Sequence, residues 1–441
     1  METGGGRLRP ALYGAGALGA SLLLQTIILW IVYFYAPPAG QGAARLSPTL
    51  VGLALAGGRV INALTNPPVA FWSDRVRSRW GRRRPFIAFG APALVACFVL
   101  LWIPPPGPAG MTFLYVLVVL AGFFFCFSLV MNPYAAMLPD ITRGGRGRIA
   151  AASWQAGASL GGVGVAMVVS PWLIARGGFG TMGAALGLAG LVMLWVVAAG
   201  VHEPPAGTEG AGAMGAGSFF GSIAAVIRNR AFAVFTLSLT LLWLGTSMVN
   251  ASIVFVITVL MGLPRDQVGI VLGASFACTL AAFPLLTRVT RTLGTPRTLR
   301  WTLAATSVIV PLISVIGLRG VPLSPAVQGY VIVLLAAAPL ASLLVLPNTI
   351  LADIAEAARA GEGHEAMFYA VQGLVLNGAT AVSSVVLGSL LTLGDSPGHT
   401  LGLRLIPVAA GACTLLALLA FLHFPTALSP DRRGGMSRSA T

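Results

Sequence analysis

Charge is what this sequence has least of. Only 9% of its 441 residues are charged, while 56% are hydrophobic and the mean hydropathy is +0.87. A soluble globular chain carries roughly 25% charged residues. The deficit excludes an ordinary cytosolic enzyme and a disordered chain. Lysine is absent, so all 27 basic residues are arginine, set against 12 acids. The net charge of +15 has no soluble domain on which to form a basic face, so no nucleic-acid partner is expected. Cysteine is scarce as well. Cys97, Cys126, Cys278 and Cys413 each lie in an apolar run without a CxxC neighbour, as buried small hydrophobes do and disulfides or metal ligands do not.

A further shortage lies inside the apolar runs. All twelve acids and all four histidines fall in loops, tails or helix ends. An intramembrane enzyme needs a His/Glu, Ser/His or paired-Asp cluster within the spans, so no enzyme is expected. Proton coupling normally uses an acid or imidazole at depth, and none is there.

What the chain has in quantity is apolar sequence. Runs recur at about 11–36, 47–72, 86–104, 111–138, 149–175, 179–201, 231–260, 267–287, 301–318, 326–351, 367–393 and 400–424. About 20 apolar residues cross a bilayer as a helix. The expected fold is therefore an all-α membrane protein of twelve transmembrane helices. The first run follows Arg7 and Arg9 but is too long for a signal peptide and lacks a small-residue cleavage site, so it reads as a retained helix. Residues 202–230 form the longest connector, Gly/Ala/Pro-rich and then amphipathic from Phe219 to Ile227. This divides the chain into an N-terminal half (1–201), a central cytoplasmic loop (202–230), a C-terminal half (231–424) and a tail (425–441).

Arginine sets the orientation. With the N-terminus inside, inner segments hold 21 arginines and outer ones five, namely Arg45, Arg176, Arg265, Arg319 and Arg404. The positive-inside bias then places both termini in the cytoplasm of a multi-pass protein of the cell (inner) membrane. The halves also echo each other. Arg75-Val76 with Gly81 recurs as Arg288-Val289 with Gly294, 213 positions on, and Pro133 and Asp140 recur as Pro347 and Asp353. Duplicated six-helix halves around a central site are a common transporter plan.

The loop after the second run reads Ser73-Asp74-Arg75-Val76-Arg77-Ser78-Arg79-Trp80-Gly81-Arg82-Arg83-Arg84-Pro85-Phe86. Electrostatically, six arginines around one aspartate, with a glycine for a tight reversal, can pair with helix C-termini and carboxylates in one conformation and release them in another. Asp74, Arg75, Arg79, Gly81, Arg82, Arg83 and Arg84, with Asp140 and Asp353, are the candidate switch residues. This loop resembles that of the major facilitator superfamily, and of its sucrose transporters. Four stretches are similar, more narrowly, to the glycoside–pentoside–hexuronide:cation symporters of the melibiose-permease type. They are Gly58–Pro67, Asn132–Asp140, Pro347–Asp353 and Gly361–Tyr369.

The resemblance implies alternating-access symport of a sugar or glycoside with a sodium ion or proton. It also implies where coupling groups should lie. The family's two second-span aspartates fall at Asn62 and Asn66. Its first-span carboxylate falls at Ser21, its fourth-span one around Met131–Asn132, its eleventh-span lysine at Asn377 and its fifth-span arginine near Gln155. Only the second-span arginine persists, as Arg59. The expectation is thus a carrier of a small polar solute by family-type symport, its cation coupling weakened or absent, with an uncoupled facilitator as the alternative; no resident cofactor or metal is expected beyond a coupling sodium ion or proton, and the carrier works as a monomer in the lipid bilayer.

Arg59, Asn62 and Asn66 sit at i, i+3 and i+7 on one helical face. Arg59 either caps groups between helices or meets an anionic or lysolipid-like solute. The remaining candidate lining is polar and neutral: Gln25, Asn132, Trp154, Gln155, Asn250, Tyr369, Gln372 and Asn377. Amides suit hydroxyls, and an indole face packs on sugar C–H surfaces. Each amide serves equally well as glue between helices. A third reading is a transporter-shaped sensor or partner that moves nothing.

Overall fold

The apolar runs fold as helices. The computed structural model describes residues 5–76, 78, 80–141, 144–200, 230–318, 322–357, 365–396 and 398–424. In chain order the helices are α1 (Gly5–Tyr35), α2 (Pro48–Arg75), α3 (Arg84–Leu100), α4 (Ala109–Ile141) and α5 (Gly144–Gly200). They continue with α6 (Arg230–Phe255), α7 (Val268–Leu293), α8 (Thr295–Leu312), α9 (Pro325–Ala357), α10 (Glu365–Leu391) and α11 (Leu401–Leu422). Among the described residues there is no strand, only one bridge between Ser396 and His399. The connector 202–229 and the tail from 425 lie outside the described residues.

The expected runs 149–175 and 179–201 meet inside one element. α5 breaks at Gly178, whose φ of 77° and ψ of −176° suit a residue without a Cβ. The chain reverses there with almost no loop. Elsewhere the elements start where sequence chemistry directs: Ser47 accepts the Leu50 N–H at the start of α2, and Pro48 stands in its first turn, where a missing N–H costs nothing.

Among the described residues, nine helices are long and apolar enough to cross a membrane. Two are not in that set, for opposite reasons. α3 is apolar but has only 17 residues. α2 has the length, and it carries Arg59, Asn62, Asn66, Pro67 and Pro68 along it. Its hydropathy is lowered by the residues that draw functional interest.

By contacts the chain divides into two compact units. The first is Met1–Ala213 with Asn250–Gly273 and Ser384–Leu403; the second is Met214–Val249, Ala274–Ser383 and Arg404–Thr441. In the second, a core gathers around Phe232, Phe235, Leu303, Leu346, Ile350 and Phe421. In the first, α1 is the central element and is buried on nearly every side. Apolar attraction is weak between helices in lipid, so close contact has to come from small residues and interhelical hydrogen bonds. Both are present. A Cβ on Gly162 of α5 would stand 2.3 Å from the Leu18 carbonyl oxygen of α1. Trp30 donates its indole N–H to the Ser170 hydroxyl at 2.7 Å. Tyr13 and Tyr134 stack at 4.4 Å, and each hydroxyl donates to the other's backbone carbonyl, at 3.1 and 2.7 Å.

Gly162→Val should force α1 and α5 apart. The expected loss is about 1–3 kcal/mol, in the range of an overpacked core, read as a lower unfolding midpoint of the detergent-solubilised protein.

Candidate functional site

Two short polar repeats face each other where α2 meets α4. On α2, Asn62 and Asn66 are one turn apart; on α4, Ser128 and Asn132 are one turn apart. The two pairs close into one network. Asn66 Oδ1 accepts from the Ser128 hydroxyl at 2.6 Å and from Asn132 Nδ2 at 3.1 Å. Asn66 Nδ2 donates to Asn62 Oδ1 at 3.1 Å. Asn132 Nδ2 also reaches the Ser128 hydroxyl at 2.9 Å and the Asn66 carbonyl at 3.3 Å. Asn62 Nδ2 lies 3.5 Å from the Phe124 carbonyl. An amide oxygen has two lone pairs, so Asn66 Oδ1 is fully used.

Arg59 stands one turn from this network. Exposed Leu53, Val60, Leu64 and Phe71 mark the opposite flank of α2, so Arg59 shares the amide side rather than the apolar stripe. Gly58 leaves room for the Phe124 ring, since a Cβ there would come within 2.5 Å of it. The Arg59 guanidinium lies over that ring, 4.7 Å from its centroid. A cation over an aromatic face is stabilised by about 0.5–2 kcal/mol. Among the described residues the Arg59 side chain forms no hydrogen bond or ion pair.

The other expected lining residues are placed apart from this cluster. Gln25 of α1 is buried and donates to Asn250 Oδ1 of α6 at 3.3 Å. Trp154 is half exposed on α5, with Gln155 beside it, and lines a mostly apolar groove of about 530 Å³ with Gly14, Leu18, Gly161 and Met193. Gln372 is buried on α10, and Asn377 turns back to the Gly373 carbonyl of its own helix at 3.0 Å. The side chain of Tyr369 lies outside the described residues. Sequence reasoning missed Ser128 and Phe124. The signal for Ser128 was its position four residues before Asn132, the same spacing as Asn62 and Asn66.

The basic loop caps helix ends. Gly81 takes a φ of 103°, turning the chain into α3. Arg83 donates to the Ala136 carbonyl near the end of α4. Arg84 donates to the Ala198 and Ala199 carbonyls at the end of α5, at 2.7 and 3.3 Å. The Ala198 and Ala199 carbonyls fall among the last four of their helix, so they lack intrahelical partners and carry the negative end of the helix dipole. Arg75 lies over the Phe71 ring at 3.3 Å, and Arg82 is partly buried at the start of the next helix. Arg79 and the side chains of Asp74, Asp140 and Asp353 lie outside the described residues.

Asn66→Ala should strand the Ser128 hydroxyl donor and take one of three acceptors from Asn132. A loss of about 1–3 kcal/mol is expected, the cost of leaving buried polar groups unpaired, and Ser128→Ala in the same background should recover part of it in a thermal unfolding series.

Comparison with known proteins gives this arrangement a context. A family described as MFS/sugar transport protein matches residues 12–428. The putative glycoside/cation symporter YagG of Escherichia coli is 31% identical over 194 residues, covering 42% of this chain and 40% of that protein. A glucuronide carrier protein homolog of the same organism is 29% identical over 162 residues, 36% of this chain and 34% of that protein. The chain thus aligns with well under half the length of these relatives. The crystal structure of the nucleoside transporter NupG superposes with a TM-score of 0.68 at 11% identity, over 95% of this chain and 99% of that one. At that identity the likeness is one of fold.

Proposed function

The chain belongs to the MFS/sugar transport family, and from that premise we propose that it carries a sugar or glycoside across the cell inner membrane by alternating access, without a coupling cation at the α2–α4 cluster. It is an integral multi-pass membrane protein, and its family is one of transporters rather than enzymes. The sugar class rests on the relatives, one named a putative glycoside/cation symporter and one a glucuronide carrier homolog. The absence of coupling rests on one observation. Where the family resemblance implies carboxylates, this chain has Asn62, Asn66 and Asn132, bonded to one another and to Ser128. Hard cations take oxygen ligands, and a buried positive charge needs a negative partner. The cluster has no carboxylate, and its central oxygen already accepts two hydrogen bonds.

Reconstitution tests this directly. Solute counterflow should proceed across a panel of glucosides, galactosides, pentosides and glucuronides, and an imposed sodium or proton gradient should change its rate less than twofold. Gradient-driven accumulation of solute would overturn the uncoupled reading.

The unsatisfied donors of Arg59 favour a second reading, in which the solute bears a carboxylate or phosphate. A charge-assisted hydrogen bond contributes about 1.5–3 kcal/mol, so Arg59→Gln should weaken glucuronide binding by about one to two orders of magnitude. Binding of the matching neutral glucoside should stay within a few fold. Equal losses for both would assign Arg59 to the scaffold.

A further inference from the structure

Two of the four cysteines, far apart in the sequence, meet in the structure. Cys97 lies near the end of α3 and Cys126 at the middle of α4. Both are free thiols, and they hydrogen-bond to one another.

The seam between the two helices is fixed on either side of this pair. On one side, a Cβ on Gly90 would stand 2.8 Å from Val130 Cγ2. On the other, the Tyr115 hydroxyl donates to the Leu100 carbonyl at 2.8 Å. The Phe98 and Phe123 rings pack across the same seam, their centroids 6.5 Å apart. Between these contacts Gly122 opens a notch in α4, one turn before Cys126. A Cβ there would stand 3.2 Å from Cys97 Sγ. The thiols are therefore brought together by the packing of two whole helices.

Their surroundings differ. Cys126 is buried and Cys97 is half-buried. Gly122 belongs to the exposed apolar stripe of α4 that holds Leu114, Val118 and Phe125, and exposed Ala96 and Leu100 flank Cys97 on α3. In a bilayer such a stripe lies against acyl chains. Cys97 thus stands at the lipid margin of the seam, and Cys126 stands behind it. A thiol alone in apolar surroundings is inert, because nothing supports negative charge on its sulfur. Here each sulfur has the other's S–H as a donor within reach.

We infer that Cys97 and Cys126 form a site of reversible oxidation, in which a lipid-soluble organic hydroperoxide oxidises Cys97 and Cys126 resolves the product into a disulfide that joins α3 to α4. In the first step the Cys97 sulfur takes the terminal oxygen of the hydroperoxide. The O–O bond breaks, the rest of the oxidant leaves as its alcohol, and Cys97 becomes a sulfenic acid. In the second step the Cys126 sulfur displaces that oxygen. An S–S bond forms, and the hydroxyl leaves with the Cys126 proton as water. The two thiols lose two electrons to the hydroperoxide, and a dithiol reductant returns them by exchange. The link falls two residues before Ser128, on the helix that supplies half of the amide cluster. It involves no solute, so it stands or falls separately from the transport reading.

The test uses the unaltered full chain in vesicles of phosphatidylglycerol and phosphatidylethanolamine, treated with cumene hydroperoxide. Remaining thiols are capped with N-ethylmaleimide in denaturant, and the digest is mapped by mass spectrometry. A peptide linked through Cys97 and Cys126 should appear, capping of both should fall at least fivefold, and dithiothreitol should restore it. Absence of that peptide at a dose that converts methionine to its sulfoxide in the same digest would overturn the site, as would linkage of either residue to Cys278 or Cys413 instead. Dimedone, which traps sulfenic acid, separates the two roles. It should mark Cys97 in the Cys126→Ser protein at least fivefold more than it marks Cys126 in the Cys97→Ser protein. Equal marking would overturn the assignment of Cys97 as the sulfur oxidised first.

Discussion

Lipid provides no hydrogen bonds, so each polar group placed in it must be answered by another part of the same chain. This chain works under that constraint with almost no charge. Its answer at α2 and α4 is a network of three amides and a hydroxyl bonded to one another. Because the network is neutral, it fastens the two helices without requiring an ion. Arg59 is the exception, and an aromatic ring rather than a carboxylate stands against it.

The same constraint accounts for the glycines. Hydrogen bonds between helices are short-range, so backbones have to come close before polar side chains can meet. Gly162 brings α5 onto α1, and Gly58 admits the Phe124 ring beside α2. Tyr13 and Tyr134 use the resulting closeness twice, once through stacked rings and once through reciprocal hydroxyl-to-carbonyl bonds.

Much of the fold was legible in the sequence because hydrophobic run length depends on composition alone. The runs at 11–36, 111–138 and 400–424 lie within or close to α1, α4 and α11. The break between the runs 149–175 and 179–201 was legible too, because Arg176 and the glycines after it interrupt the apolar sequence where α5 breaks at Gly178. The α2–α4 cluster was half legible. Asn62, Asn66 and Asn132 stand out as amides in apolar sequence, whereas Ser128 is ordinary in a membrane helix, and nothing in linear order says which helix faces which. Trp154 stands out in the sequence as much as the amides do, yet the structure sets it on an apolar groove. Pairing of distant helices is a tertiary fact that periodicity does not encode.

The capping of a helix end by Arg84 has a consequence for regulation. Guanidinium keeps its proton across the whole range in which cells live. A fastening of this kind keeps its charge wherever the cell keeps the protein, so the tie between the start of α3 and the end of α5 does not loosen with ambient acidity.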